Sequence, residues 1–454
     1  MLTTVQIKAA KNALSSAIQA ALLSGLAFSA LDAWAVGETS RVSVSSKNAE
    51  SNGTSWHPHI SADNRYIVFQ SEADNLVPND TNKTLDIFVH DRQTKKTTRV
   101  NVASDGTQSK PSFPHQATIS ANGRYVAFTS DASNLVPNDT NSGDDVFVHD
   151  LKTKKTERIN IASDGSEAVV GDWRGHASIS ADGRYVSFIA IAGNLVEGDT
   201  NNELDVFVHD RKTKTTTRVS VASDGTQGNS LCFKQRLSAN GRFVAFQSES
   251  TNLVKGDTNK QADVFVHDLD TKKTTRVSVA SDGTQGNNGA WQPDISADGR
   301  YVTFWSSASN LVSDDKNFVD DVFVHDMKTG KTTLVSVAPD GTRSNGYSSR
   351  PTISHDGRYV GFTSAASNLT TNDDNGVEDV FVHDRVKNTT KLVSVTLDGS
   401  SGTGPFNGIN ITGNRDAIIS PDGKHMAFRS LVTDLVPNDT NDLIDVFFRD
   451  LTAK

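Results

Sequence analysis

The chain of 454 residues has a single cysteine, Cys232. It can close no internal disulfide, so a small stapled scaffold is excluded and stability must come from buried apolar surface. Lysine and arginine nowhere gather into a basic block, and the formal charge is −9. Such a surface excludes binding to nucleic acid or anionic lipid by phosphate neutralisation. Beyond the N-terminal segment no apolar run approaches the ~20 residues of a membrane-spanning helix. No G-x-S-x-G elbow with triad partners can be placed, which excludes an appended α/β-hydrolase domain. Hydrophobic residues make up only 35% of the chain, which is enough where strands bury alternate side chains.

Residues 1–35 differ from the rest. Lys8 and Lys11 precede the apolar stretch Ile18–Phe28, and Ala33-Trp34-Ala35 follows. A cationic start, a short apolar core and a small-residue site are the order of a secretory signal peptide. The expectation is an exported protein, periplasmic or secreted, whose mature domain, 36–454, begins at Val36. Removing two lysines and Asp32 leaves 43 basic and 53 acidic residues, a charge of −10.

What the chain has in abundance is repetition. Ile119-Ser-Ala-Asn-Gly-Arg-Tyr-Val-Ala-Phe128 is followed by Asp139-Thr-Asn141, Asp145-Val-Phe-Val-His-Asp150 and Lys155-Thr-Glu-Arg-Ile-Asn-Ile161. The aspartates of the Asp-Thr-Asn element, Asp80, Asp139, Asp199, Asp257, Asp315, Asp373 and Asp439, are 59, 60, 58, 58, 58 and 66 residues apart. A period above ~40 residues with several β-rich segments per unit reads as propeller blades. Each unit holds four strand signals. Segment A ends in Ile-Ser, B is Arg-Tyr-Val-x-Phe, C is Asp-Val-Phe-Val-His-Asp and D is Thr-Thr-Arg-Val-Ser-Val. The A–B link is Asn/Asp-Gly, a two-strand turn that accepts positive φ. The seventh unit has no D segment, but Thr39-Ser-Arg-Val-Ser-Val-Ser45 supplies one at the opposite end. The fold class expected is all-β: a seven-bladed propeller of four-stranded antiparallel blades, closed by the N-terminal strand completing the last blade. Strand direction then puts the D–A and B–C loops on one face, which carries the variety in length and sequence.

These units resemble the WD40-like (PD40) repeats of the TolB family, most closely at Ser420-Pro-Asp-Gly-Lys424 and Ala427-Phe428. The resemblance spans 40–451 and implies a propeller. It implies no activity, because such repeats occur in binding proteins and enzymes alike. With seven units and no N-terminal α/β domain, the chain departs from TolB itself, and the Tol–Pal partner role is not carried over.

Two sets of residues are candidate sites. The first is the B–C loop of each blade: Asp80/Asn82/Asp86, Asp139/Asn141/Asp145, Asp199/Asn201/Asp205, Asp257/Asn259/Asp263, Asp315/Asn317/Asp321, Asp373/Asn375/Asp379 and Asp439/Asn441/Asp445. Oxygen ligands at relative positions 1, 3 and 7 suit Ca²⁺. Asx-turn hydrogen bonds explain the same pattern as loop structure. The second set lies where the repeats disagree, at the start of segment A: His57, Gln116, His176, Lys234, Gln292, Arg350 and Asp416, with His59, Arg236 and Asp294 two residues on. Trp56, Phe113, Trp173, Phe233, Trp291 and Tyr347 stand nearby. A mixed-charge ring edged by aromatics suits a peptide or sugar. The histidines His90, His149, His209, His267, His325 and His383, one in each of six units with Arg449 in the seventh, are spread around the ring and are expected to hydrogen-bond between strands. The reading that follows is a non-catalytic propeller binding a protein, peptide or glycan partner at its channel mouth. Two alternatives remain open: a polysaccharide lyase or hydrolase using His176, Arg174, Lys234, Arg236 and Asp294, and a calcium-dependent surface module. The last D–A loop, Gly399–Gly408, is about eight residues longer than its counterparts and is read as a flap or an insertion.

Overall fold

The structure, a computed structural model, describes residues 38–141, 143–169, 175–313, 315–402 and 415–452. The expected signal peptide, Trp173, Arg174 and most of the long D–A loop lie outside the described residues.

The chain is a seven-bladed β-propeller: seven sheets of four antiparallel strands, with no helix among the described residues. In blade 1 strand A is Ser55–Ile60, B is Tyr66–Ser71, C is Asp86–Asp91 and D is Lys96–Arg99. Blades 2 to 6 repeat this order. Blade 7 is built from Arg415–Ile419, His425–Ser430 and Asp445–Asp450, and its fourth strand is Thr39–Arg41. The register pairs Thr39 with Arg449 and Arg41 with Phe447, and the Val42 N–H extends it by donating to the Val446 carbonyl at 2.8 Å. Ring closure by the N-terminal strand is therefore as the repeats require, and it covers what would be an open sheet edge.

The apolar core lies between blades. Val68, Ile87, Val89 and Val100 of blade 1 pack on Ala117, Ile119, Val126 and Phe128 of blade 2. Phenylalanines of strands B and C face each other inside each blade, as with Phe69 and Phe88, whose ring centroids are 5.8 Å apart. The strand C histidines are structural. His209 Nδ1 lies 2.9 Å from Thr216 Oγ1, whose hydroxyl donates to the Ile161 carbonyl of the blade before. The threonine oxygen is thus the acceptor and the imidazole carries its proton on Nδ1. Burial holds this histidine down to about 4.

The A–B turns form the regular face. Arg184 makes a two-pronged ion pair with Asp210, and Ala62, Ala121 and Ala181 each donate an N–H to the turn of the next blade. The other face carries the candidate site.

Candidate functional site

Strand A of most blades carries a bulge just before its paired segment: between Trp56 and His59, Phe233 and Gln235, Trp291 and Asp294, Ser349 and Thr352, and Arg415 and Ile418. At the bulge stand His57, Lys234, Gln292, Arg350 and Asp416, with φ of +50°, +32°, +49°, +53° and +52°. Non-glycine residues in the left-handed region cost of order 1–3 kcal/mol each and concentrate at functional sites. A bulge re-aims a side chain, and here five are turned into the axial channel. The same backbone irregularity repeats while the side chain changes from blade to blade.

His57, Gln116, Lys234, Gln292, Arg350 and Asp416 line a cavity of about 240 Å³ at the channel mouth, with His59 and Arg236 one level deeper. Asp294 lines the lower part of the channel with His59, Arg236 and His355. His176 is not in the wall of the mouth; its Nε2 is hydrogen-bonded to the Lys234 Nζ behind it. The candidate ring is thus brought together in one axial channel, on two levels.

Asp416 is its electrostatic hub. Its Oδ1 is 3.1 Å from Arg350, and its Oδ2 is 3.0 Å from His57 Nδ1 and 2.9 Å from Arg429 Nε. Burial works to raise its pKa, but His57, Arg429 and Arg350 overcome this and hold it far below the usual carboxylate range. Gln116 Nε2 lies 2.9 Å from His57 Nδ1. Asp294 Oδ2 accepts the Ile353 N–H at 2.9 Å, and Arg236 approaches its other oxygen at 3.9 Å. Burial, opposed by Arg236, still leaves Asp294 above its ordinary value.

The cations outnumber these two carboxylates. Lys234, Arg236, Arg350 and Arg429 crowd the same space. Burial first, then the neighbouring Arg236 and Arg350 charges, push Lys234 down to about 8. Burial and Arg236 push His59 down to about 3, and His176 is also driven well below its ordinary value by burial and Lys234. The mouth is a positive funnel in a protein of net negative charge.

On one side of the funnel Trp291 stacks on Trp305 with centroids 4.4 Å apart, and Trp305 Nε1 donates to Gln292 Oε1 at 2.9 Å. Phe113 and Tyr347 are exposed on the same loop face. Trp305 and Arg429 were not among the expected residues. Both follow the phenylalanine of segment B, a column that reads Gln70, Thr129, Ile189, Gln247, Trp305, Thr363 and Arg429. Its variability is the signal that would have found them.

In the B–C loops the asparagines do not stand as the oxygen ligands that spacing suggested, and this part of the expected calcium sets is corrected. Their amide nitrogens face the aspartates. Asn82 Nδ2 donates to Asp86 at 3.0 Å, Asn317 Nδ2 to Asp321 at 2.8 Å and Asn441 Nδ2 to Asp445 at 3.0 Å. Asn201 and Asn259 donate to the Gly228 and Gly286 carbonyls of the following D–A loops, each at 3.0 Å. The amide oxygens of Asn201, Asn259 and Asn441 accept the N–H groups of Glu203, Gln261 and Leu443 two residues on. That is the Asx turn. Asn141 and Asn375 do the same with Gly143 and Val377. A cation needs an acceptor where these side chains present a donor. Asn82 and Asn317 keep a buried Oδ1 without a hydrogen-bond partner, but their loops already hold Arg99 and Arg343.

The structure also places an arginine beside most of the loop aspartates. Arg99 reaches Asp80 at 2.7 Å and Asp86 at 3.2 Å, and Arg218 reaches Asp199 at 3.2 Å. Among the described residues, two loops bring three carboxylates within range of one ion: Glu50/Asp439/Asp445 and Asp139/Asp145/Glu167. Arg41 and Arg158 respectively are ion-paired to every member of those sets.

No family model matches the chain, and no curated protein matches it. Solved structures do. An oligogalacturonate lyase in complex with manganese matches at 13% identity and a TM-score of 0.56, over 93% of this chain and 95% of its own. The oligogalacturonate lyase of Vibrio parahaemolyticus matches at 11% identity and TM-score 0.56, over 94% and 97%. TolB from Acinetobacter baumannii matches at 12% identity and TM-score 0.38, over 86% and 80%. These likenesses are of fold. They nevertheless correct the expectation of a non-catalytic binding propeller. That expectation gave the channel mouth a binding role alone, whereas propellers matched over nearly their whole length are themselves lyases.

The manganese of the first neighbour has no fitting counterpart at this mouth. Both oxygens of Asp416 lie within ion-pair distance of cations, Oδ1 of Arg350 and Oδ2 of Arg429, and Lys234 covers His176 Nε2. Among the described residues no three His, Cys, Asp or Glu ligands converge there. A dication would enter a space already rich in positive charge.

Proposed function

We propose that the protein is a polysaccharide lyase acting on uronate-containing glycans, with its site at the channel mouth. The observation that carries this reading is the clustering of Lys234, Arg236 and Arg350 around a cavity in an acidic protein, with the lysine held near pH 8. A lyase must neutralise the uronate carboxylate, so that the adjacent carbon releases its proton, and must supply a base for that proton. Arg350 and Arg236 provide the first. Lys234, deprotonated in a useful fraction of molecules at mildly alkaline pH, provides the second.

Its lone pair takes the proton from C5. The C5–H electrons form the C4=C5 double bond, the C4–O bond breaks, and the leaving oxygen is protonated by solvent. His176, kept neutral by burial and Lys234, holds the amine in place through Nε2. A cavity of about 240 Å³ is below the ~300–1,000 Å³ of drug-sized pockets. It takes one sugar ring, with the rest of the chain lying over Trp291, Phe113 and Tyr347 on the loop face. The hydrolase alternative is disfavoured. That chemistry needs one protonated and one ionised carboxyl on either side of the bond, and Asp416 is locked as an ion-paired anion while Asp294 lies deeper, against Arg236.

The test is incubation with a panel of polyuronates, polygalacturonate first, followed by the ultraviolet absorbance and mass of the products. Unsaturated oligosaccharides are expected. Saturated products carrying an added water, or no cleavage of any uronate, would refute the assignment.

A further inference from the structure

In five blades strand D places an arginine opposite the first phenylalanine of strand C: Arg41, Arg99, Arg158, Arg218 and Arg276. Each reaches the two aspartates of its B–C loop, as Arg276 does at 3.5 Å from both Asp257 and Asp263. Blade 5 has Leu334 at that position. There Arg343 comes in from the D–A loop, anchored on the Ser313 carbonyl at 2.6 Å, and its charge acts on both Asp315 and Asp321.

Blade 6 has neither. Leu392 stands opposite Phe381, and the position of Arg343 is taken by Ser401, whose hydroxyl donates to Asp374 Oδ1 at 2.9 Å. Asp374 itself adds a negative charge where five blades have threonine and blade 5 has Lys316. Asp373 is 7% exposed and Asp379 is fully buried. Among the described residues Asp373 makes no ion pair, and its Oδ2 has no hydrogen-bond partner. Asn375 Nδ2 donates to Asp379 Oδ2 at 2.8 Å and Ser394 Oγ to its Oδ1 at 2.5 Å, so the open oxygen of this loop is Asp373 Oδ2.

A buried carboxylate is costly unless it is paired or coordinates a cation. We propose that the B–C loop of blade 6 binds a hard divalent cation of the calcium class between Asp373 and Asp379, where an arginine serves the other six blades. The two carboxylates supply the charge, and water and loop carbonyl oxygens complete an oxygen shell of the kind calcium accepts. Burial and the facing Asp379 and Asp374 charges push Asp373 up to about 7, so a proton competes with the metal below neutrality. This site is separate from the channel mouth and does not depend on the lyase reading.

The experiment is calorimetric titration of the full chain with calcium chloride at pH 8, where Asp373 is mostly ionised. One site per chain is expected, with a Kd of about 10⁻⁴–10⁻³ M, the range of exposed extracellular modules. Leu392→Arg, which restores the repeat's own guanidinium, is expected to weaken binding at least tenfold. Asp373→Asn, nearly the same shape, should do so too and guards against a Leu392→Arg protein that does not fold. Absence of binding at about 10 mM calcium, or a site that survives both substitutions, overturns the proposal.

Discussion

Replacing Lys234 by glutamine is expected to lower kcat on a polyuronate by about 10²–10⁴, the contribution typical of a positioned general base. Lys234→Arg separates the two roles of the side chain. It keeps the positive charge but cannot deprotonate in a protein, so kcat should fall as far while KM stays near that of the parent. In the parent, kcat/KM should rise as pH increases through about 8 and then level, because only the neutral amine accepts the C5 proton and burial with Arg236 and Arg350 places the transition there. Steady-state rates across pH 6 to 10 for the three proteins check this. An unchanged profile in Lys234→Arg would move the base elsewhere.

Arg41→Ala is expected to destabilise the whole ring by about 3–5 kcal/mol, the cost of leaving buried charges without their partner. Arg41 belongs to the N-terminal strand but is ion-paired to Asp439, Asp445 and Glu50 in the loops of blade 7. The side chains of Asp439 and Asp445 are 2% and 0% exposed. Burial and the facing Asp445 charge already push Asp439 up to about 7. A carboxyl whose folded pKa is raised penalises folding above that pKa and is relieved below it. The loss in Arg41→Ala should therefore be largest above pH 7 and shrink as pH falls towards 5. Urea unfolding at both pH values measures it, with Lys47→Ala, an exposed change nearby, as the control.

The ring was readable in the sequence because its parts are local. Asn/Asp-Gly turns, period-two strands and a stray Arg-Val-Ser-Val at the wrong end of the chain need no knowledge of distant contacts. The mouth was readable for the opposite reason: at His57, Lys234, Arg350 and Asp416 the repeats stop agreeing. What could not be read was anything that depends on register across strands. Arg218 sits opposite Phe207, and only that pairing lets it reach Asp199. From spacing alone the Asp-Thr-Asn loops offered metal or Asx turns and not an arginine. Nor does spacing say which end of an amide points at an aspartate, and at Asn82, Asn317 and Asn441 it is the nitrogen. Arg429 and Trp305 were hidden likewise, since they meet the mouth only by reaching Asp416 and Gln292 on strand A. The loss of arginine at Leu334 and Leu392 stands in the sequence, but its meaning requires knowing what the arginine does.

Everything proposed for the axial mouth requires that its cations hold a uronate carboxylate. The decisive measurement is a crystal structure of the Lys234→Gln protein with a bound oligouronate. A sugar carboxylate between Arg350 and Arg236, with C5 facing residue 234, is expected. An oligosaccharide seated on the turn face, or one with its carboxylates in solvent and the mouth empty, would contradict it.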